Sequence, residues 1–186
     1  MRIRPVEHDD FESIASLTNR YIRDTVIHFG EKEITAQELR EEWRRLGPRY
    51  PFLVACGDGG TDRGSGDDAD SRPERGRFLG YAKSGPWRTR AAYRNTVEIG
   101  IYMMPEAQGK GLGRRLYQAL IDACMAKGFH AIIGGVTMPN EISVRLHEGL
   151  GFKPIGVFPQ VGYKFDRWHD VGFWQLTVPS AAPREA

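Results

Sequence analysis

Residues 108–113 read Gln-Gly-Lys-Gly-Leu-Gly and lie between an apolar stretch and an amphipathic one. The pattern Gln108-x-x-Gly111-x-Gly113 puts conformationally free residues at a strand-to-helix turn, so the backbone can approach an anion closely. N–H groups in the first turn of a helix lack intrahelical acceptors, and the helix dipole favours negative charge beside them. Such a turn can cradle a pyrophosphate on the backbone donors of Gly109, Lys110, Gly111, Leu112, Gly113 and Arg114; alone, it reads equally as a structural turn. It is neither Gly-x-x-x-x-Gly-Lys-Ser/Thr nor Gly-x-Gly-x-x-Gly, and it lies past the middle of the chain, where a dinucleotide unit would open the fold. Ten residues before Gln108, Glu98 interrupts the run Thr96-Val-Glu-Ile-Gly-Ile-Tyr102. An acid in an apolar strand is costly to bury unless it is paired, with Arg88 or Arg94 for example, or functional. His147, in Arg145-Leu-His-Glu148, reads on its own as a core or cap histidine. Cys56 and Cys124 stand 68 positions apart without CxxC or metal-like spacing. They read as small buried hydrophobes, and no metal is expected.

The elements that must position these groups follow from periodicity. Arg2–Val6 is a short strand, and Asp9/Asp10 start a helix with Phe11, Ile14, Leu17, Tyr21 and Ile22 at helical spacing. Thr35-x-x-Glu38 is a capping box before a second helix, whose stripe Leu39, Trp43, Leu46 runs to Gly47-Pro48. Phe52–Cys56 and Arg77–Ser84 read as a hairpin with a long connection, and Thr96–Met104 as the strongest strand. From Leu112, the positions Leu116, Leu120 and Ala123 mark a helix that ends at Gly128. Ala131–Val136 is a buried strand. Asn140 opens a helix with Val144, Leu146 and Leu150 inward, and strands near Pro154–Phe165 and Val171–Val178 close the fold.

The chain's 186 residues carry 26 Lys+Arg against 24 Asp+Glu, a net +2 too near neutral for a protein whose main partner is nucleic acid. Gly57 to Gly76 hold six of those acids, three of the Arg and six Gly, and almost nothing apolar. Subtracting them leaves 23 basic residues against 18 acidic, or +5. A segment of that composition buries too little apolar surface to offset an ordering cost of roughly 1–2 kcal/mol per residue, so 57–76 is expected to be a disordered insertion. The reading is one domain over 1–178 and a flexible tail over 179–186. No stretch approaches the roughly 18–20 apolar residues of a membrane span, and the N-terminus lacks a secretory h-region; the expected location is the cytoplasm.

Taken in order, Gly85-Pro-Trp-Arg88, Thr96–Tyr102, the Gln108–Gly113 turn, Pro139-Asn140, Ser143–Glu148, Leu150-Gly-Phe152 and Trp168–Gln175 resemble the GNAT N-acetyltransferase superfamily. Within it they look like the branch acting on phosphinothricin and on methionine sulfone and sulfoximine. The resemblance covers nearly the whole chain except Gly57–Gly76 and the tail. It implies an α+β, three-layer α/β/α fold with a mixed, mostly antiparallel sheet. Acetyl-CoA would lie in a splay between the strand ending at Met104 and Ala131–Val136. The implied reaction is acetyl transfer to the α-amine of a small amino acid by direct attack on the thioester.

Carried over residue by residue, the resemblance puts the CoA pyrophosphate on the amides of Gly109 to Arg114, with Gln108 shaping the turn. The local charge fits: Gly85 to Gln118 hold six basic residues and two acids. The backbone from Ile101 to Met103 would meet the pantetheine arm, as would Asn140, which on its own reads equally as a plain N-cap. Glu98 would take the proton of the attacking ammonium, directly or through water. His147 stands where many relatives carry Tyr, and would act as acid toward the departing thiolate or take part in amine deprotonation. Arg88 would hold the substrate carboxylate. Trp87, Phe29 and Tyr93 read as walls of that pocket or as core aromatics, which residues of this type more often are. Val161–Phe165 and Trp168 fall where relatives dimerise, which implies a homodimer. The alternatives are another amine acceptor, such as a peptide N-terminus, a polyamine or an aminoglycoside, and a non-catalytic acyl-CoA sensor.

Overall fold

The computed structural model describes residues 1–57 and 76–179. Strand β1 (Arg2–Pro5) is joined to helix α1 (Phe11–Asp24) by a buried bidentate pair, in which the Arg4 guanidinium donates to both Asp10 carboxylate oxygens at 2.7 and 2.8 Å. The expected spacing turns Phe11, Ile14, Leu17 and Ile22 into the core. Helix α2 (Ala36–Leu46) opens on the reciprocal box: Glu38 N–H donates to Thr35 Oγ1 at 3.2 Å, and Thr35 N–H donates to Glu38 Oε2 at 2.7 Å. It ends at Gly47, whose φ of 68° is a conformation that favours glycine.

Strands β2 (Phe52–Cys56) and β3 (Phe78–Pro86) form the expected hairpin, followed by β4 (Thr96–Met103), α3 (Leu112–Ala126), β5 (Ala131–Thr137), α4 (Glu141–Gly149), β6 (Lys153–Lys164) and β7 (Arg167–Thr177). The seven strands make one sheet in the order β1-β2-β3-β4-β5-β7-β6. Every neighbouring pair is antiparallel except β4–β5, so the sheet is mixed and mostly antiparallel as expected. Helices α1 and α2 cover one face through Phe11, Ile14, Leu39, Val54 and Tyr81. Helix α3 covers the other with Leu116, Leu120 and Ile121 on Val97, Ile99 and Ile132, each such side chain adding roughly 1.5–3 kcal/mol by burial.

The parallel pair positions the site. β4 and β5 are in register only from Thr96↔Ala131 to Ile99↔Gly134. Beyond that rung β4 stays on β3 as far as Gly80↔Met103, and β5 stays on β7 as far as Thr137↔Val171. Each strand is held on its outer edge while the inner edges separate.

One expectation needs correction. The last strand begins at Arg167, not near Val171: β6 and β7 meet in a tight turn at Phe165 and Asp166, with φ of 52° and 57°. Two residues at positive φ are the geometry of a two-residue hairpin, usually written with Asn or Gly, so Phe-Asp conceals it. On α4, Val144, Leu146 and Leu150 pack against the core as expected, and His147 is the most buried residue of the helix. The disorder expected for 57–76 concerns residues 58–75, which lie outside the described residues, as do residues 180–186 of the tail. At the flanks, Gly57 N–H donates to the Arg77 carbonyl at 2.7 Å.

Candidate active site

At the mouth of the fork the chain leaves β4 through a single 3-10 turn, Pro105–Ala107, and re-enters helix at Leu112. Gly109 and Gly111 have φ of 72° and 71°, and a Cβ at either would meet nothing within 4 Å. Glycine is required there by backbone conformation rather than by crowding, and the space beyond is open. Among the described residues the N–H groups of Gly109 to Arg114 have no backbone acceptor; the first such bond at this end of α3 runs from Arg115 N–H to the Gly111 carbonyl. Six donors at a positive helix end are thus left without a backbone partner, beside the open space at Gly109 and Gly111, which fits a pyrophosphate. Gln108 shapes the turn from below: its Nε2 donates to the Met103 carbonyl and the Tyr21 hydroxyl, each at 3.2 Å, and Tyr21 donates to the same carbonyl at 2.9 Å. Arg114 Nη2 donates to the Gly149 carbonyl at 2.7 Å, so its side chain ties α3 to α4 while its N–H stays in the cradle. Asn140 caps α4, its Oδ1 accepting from Ser143 N–H at 3.0 Å.

Gly134 and Gly135 sit where β5 leaves β4, and successive Cβ positions on a strand point to opposite faces. A Cβ at Gly135 would lie 3.5 Å from Glu98 Oε1 and 3.3 Å from the Phe173 ring. One at Gly134 would lie 2.2 Å from His147 Nε2. Glu98 and His147 thus approach the fork from opposite faces of β5, each across a glycine.

Glu98 is half-buried and, among the described residues, forms no hydrogen bond and no ion pair within 4 Å, so the pairing with Arg88 or Arg94 does not form at contact range. Burial raises its pKa above the usual carboxylate range, and the Arg88 guanidinium opposes that rise. Arg88 is exposed; it stacks on Trp87 at 4.1 Å and donates to the Trp87 carbonyl. Trp87 meets Phe173 edge-on at 5.4 Å, and Phe173 meets Phe158 at 5.5 Å, so an aromatic wall lines the Glu98 side. Phe29 lies farther along, over Gly162 and beside His169. Tyr93 is exposed in a short turn, Ala91–Tyr93, without a ring partner among the described residues.

His147 is 3% exposed, packed between Tyr117, Phe152 and Trp174. Its Nδ1–H donates to the Ser143 carbonyl at 2.8 Å, which leaves Nε2 to accept from the Tyr117 hydroxyl at 3.1 Å. Burial lowers its pKa, and the bond to Ser143 only partly offsets this, so the ring is neutral. The Tyr117 hydroxyl also lies 3.3 Å from the carbonyl of Ile99, on the last paired rung. Cys124 is fully buried and its thiol is pushed up to about 12, which suits a core residue rather than a nucleophile.

Of the residues the sequence singles out, Glu98, Arg88, Trp87, His147 and the glycine turn lie about the fork, whereas Phe29 lies on the β6–β7 hairpin over Gly162 and Tyr93 is exposed. Reading the sequence passes over Tyr117, Phe173 and the Gly134-Gly135 pair. Adjacent glycines inside a buried strand were the available signal, because such glycines mark a close approach of other groups.

A sheet parted between its fourth and fifth strands, with an anion cradle at the mouth and a carboxylate inside, defines an acyl-transfer architecture. The model of the acetyltransferase (GNAT) family matches residues 16–152, and the chain belongs to that family. It is 36% identical to phosphinothricin N-acetyltransferase of Streptomyces viridochromogenes over 98% of this chain and 91% of the relative. It is 34% identical to L-methionine sulfoximine/L-methionine sulfone acetyltransferase of Salmonella typhimurium over 100% and 99% of the two chains. The crystal structure of a phosphinothricin acetyltransferase from Sinorhizobium meliloti in complex with acetyl-CoA superposes with a TM-score of 0.84, at 29% identity, over 100% of this chain and 92% of that one. Among the described residues no helix is long and apolar enough to cross a membrane.

Proposed function

We propose that this enzyme transfers acetyl from acetyl-CoA to the α-amine of a small amino acid of the phosphinothricin, methionine sulfoximine or methionine sulfone type. The observation that carries this reading is the Glu98 carboxylate at the fork, unpaired among the described residues and flanked by Arg88 and the Trp87–Phe173 wall. The cradle of Gly109 to Arg114 takes the CoA pyrophosphate, Lys110 adds a side-chain cation, and the open inner edge of β4 from Ile101 to Met103 meets the amides of the pantetheine arm. Asn140 serves it from the opposite side through its amide nitrogen, its oxygen being used by the cap. Arg88 holds the acceptor's carboxylate.

Glu98 removes a proton from the bound ammonium, and the freed nitrogen attacks the thioester carbonyl carbon. A C–N bond forms, the C–S bond breaks with its electron pair going to sulfur, and the second proton of the attacking nitrogen passes to the departing thiolate, giving the amide and the CoA thiol. A strand amide at the fork polarises the thioester oxygen. His147 cannot share the amine proton with Glu98 from across β5. It acts on the thiolate side, where its Nε2 orients the Tyr117 hydroxyl beside Ile99. Two free buried thiols and the need for acetyl-CoA support a cytoplasmic setting. β6 is an edge strand with Ile155, Val157, Val161 and Tyr163 exposed at 50–63%, which supports a homodimer through this arm.

CoA release measured across a panel of amino acids, peptides, polyamines and aminoglycosides tests the reading. Turnover on phosphinothricin or the methionine derivatives is expected; activity on peptides with none on amino acids would overturn the acceptor class.

A further inference from the structure

Lys164, at the end of β6, is 5% exposed, and its ammonium donates to three backbone carbonyls: Ile22 at 2.6 Å, His28 at 2.7 Å and Thr25 at 2.9 Å. All three belong to the end of α1 and the loop after it, where carbonyls have no helical partner. The same hairpin holds that loop twice more. Phe29 lies over Gly162, where a Cβ would come within 2.3 Å of its ring, and it packs beside His169. His169 Nε2–H donates to the Lys164 carbonyl at 3.0 Å, and Gly162 and His169 face each other across β6 and β7. On its other side the loop reaches β4, because the His28 ring sits 5.8 Å from Tyr102, on the same face of β4 as Glu98. Among the described residues no carboxylate contacts the Lys164 ammonium, Glu31 acting on it only at longer range, and the three carbonyl dipoles offset the cost of burying it.

We propose that Lys164 is a positioning residue for the amine acceptor: it pins the loop from Thr25 to Gly30 to the β6–β7 hairpin and thereby sets Phe29 as a wall of the acceptor pocket. The proposal rests on the acetyltransferase reading above. The pin spans the hairpin and the loop from Thr25 to Gly30, none of which belongs to the cradle of Gly109 to Arg114, and the end of α1 reaches the cradle turn only through Tyr21 and Gln108; its loss therefore falls mainly on acceptor binding and little on acetyl-CoA. It also joins the exposed arm to the pocket, so the arm's packing bears on the acceptor.

Lys164→Met and Gly162→Ala displace Phe29 by independent routes, one by releasing the loop and one by crowding the ring. Steady-state kinetics of each should show the acceptor KM raised about tenfold or more, with acetyl-CoA binding within about twofold of the parent. In a Phe29→Ala background, Lys164→Met should add less than about twofold. An unchanged acceptor KM in folded Lys164→Met, or an equal rise in the Phe29→Ala background, would overturn the proposal. If Lys164→Met does not fold, Gly162→Ala decides alone. Amide hydrogen exchange over residues 25–30 is read in parallel: faster exchange there in Lys164→Met, with β4 and α3 unchanged, is expected, and unchanged exchange refutes the pin. If the parent acetylates no amino acid, the acceptor assignment fails instead, and exchange still decides whether the pin exists.

Discussion

Replacing Glu98 by Gln separates the base from everything else in the fork. The side chain keeps its size, and with no hydrogen bond or ion pair to lose among the described residues, the amide fits without orphaning a partner. A positioned general base contributes about 10²–10⁴ in rate, which is about 3–5 kcal/mol at 1.36 kcal/mol per decade. The upper half of that range is expected, because among the described residues neither neighbour can substitute: His147 is across β5 with both ring nitrogens engaged, and Arg88 is a cation. Turnover should therefore fall about 10³-fold or more, measured as thiol release at saturating acetyl-CoA, with acetyl-CoA affinity within about twofold. The residual rate should climb as pH approaches the amine's own pKa, where neutral acceptor is already abundant. The sign of the stability change is a second check. Burial raises the folded pKa of Glu98, so the charged form weakens the fold above the ordinary carboxylate range. Glu98→Gln should melt at or above the parent's temperature at neutral pH, with the gain vanishing as pH drops below about 4. Turnover within about threefold of the parent, with the parent's pH profile, would refute the assignment of Glu98 as base.

The other groups at the fork make distinct signatures. Arg88→Ala should raise acceptor KM about 10–100-fold, the worth of a charged hydrogen bond, and shift the acidic limb of the kcat/KM profile to higher pH, since Arg88 holds the Glu98 pKa down; Arg88→Lys should restore the limb better than KM. His147→Ala leaves a cavity beside Phe152 and removes a partner of Tyr117, at about 2–4 kcal/mol, or a melting temperature roughly 5–15 °C lower by calorimetry. The folded pKa of His147 is depressed, so its contribution is present above about pH 6.5 and fades below, and the gap between variant and parent should narrow in acid. Replacing residues 58–75 by Asn-Gly should leave turnover within about twofold, because Gly57 and Arg77 already pair across the gap.

Much of this was legible in one dimension because the signals were local. The Thr35 box, the Phe11–Ile22 stripe and the Gly109/Gly111 turn each depend on a few neighbouring residues, and each formed where its chemistry requires. Glu98 stood out because it contradicts its surroundings. What stayed hidden depends on residues far apart in the chain. Lys164 reads as one more surface lysine on an edge strand until the fold brings Ile22, Thr25 and His28 onto its ammonium. Tyr117 reads as a core aromatic until His147, thirty positions later, meets its hydroxyl. Periodicity registers that a residue is buried; it carries no information on which partner closes a hydrogen bond.

The Gly134-Gly135 pair explains why the two titratable groups keep separate roles. With no side chain at either position, each face of β5 admits one group to the fork, Glu98 on one side and His147 on the other. The environments then drive them apart. Glu98 stays half-buried and unpaired, so it can take up a proton, while His147 is enclosed, neutral and committed to Ser143 and Tyr117. A side chain at Gly135 would crowd Glu98 and Phe173, whereas one at Gly134 would displace His147 and break its bond to Tyr117. Gly135→Ala should therefore act on acceptor turnover with little change in melting temperature, and Gly134→Ala should lower the melting temperature as His147→Ala does. If the two substitutions behaved alike in both assays, the separation of roles across β5 would be wrong.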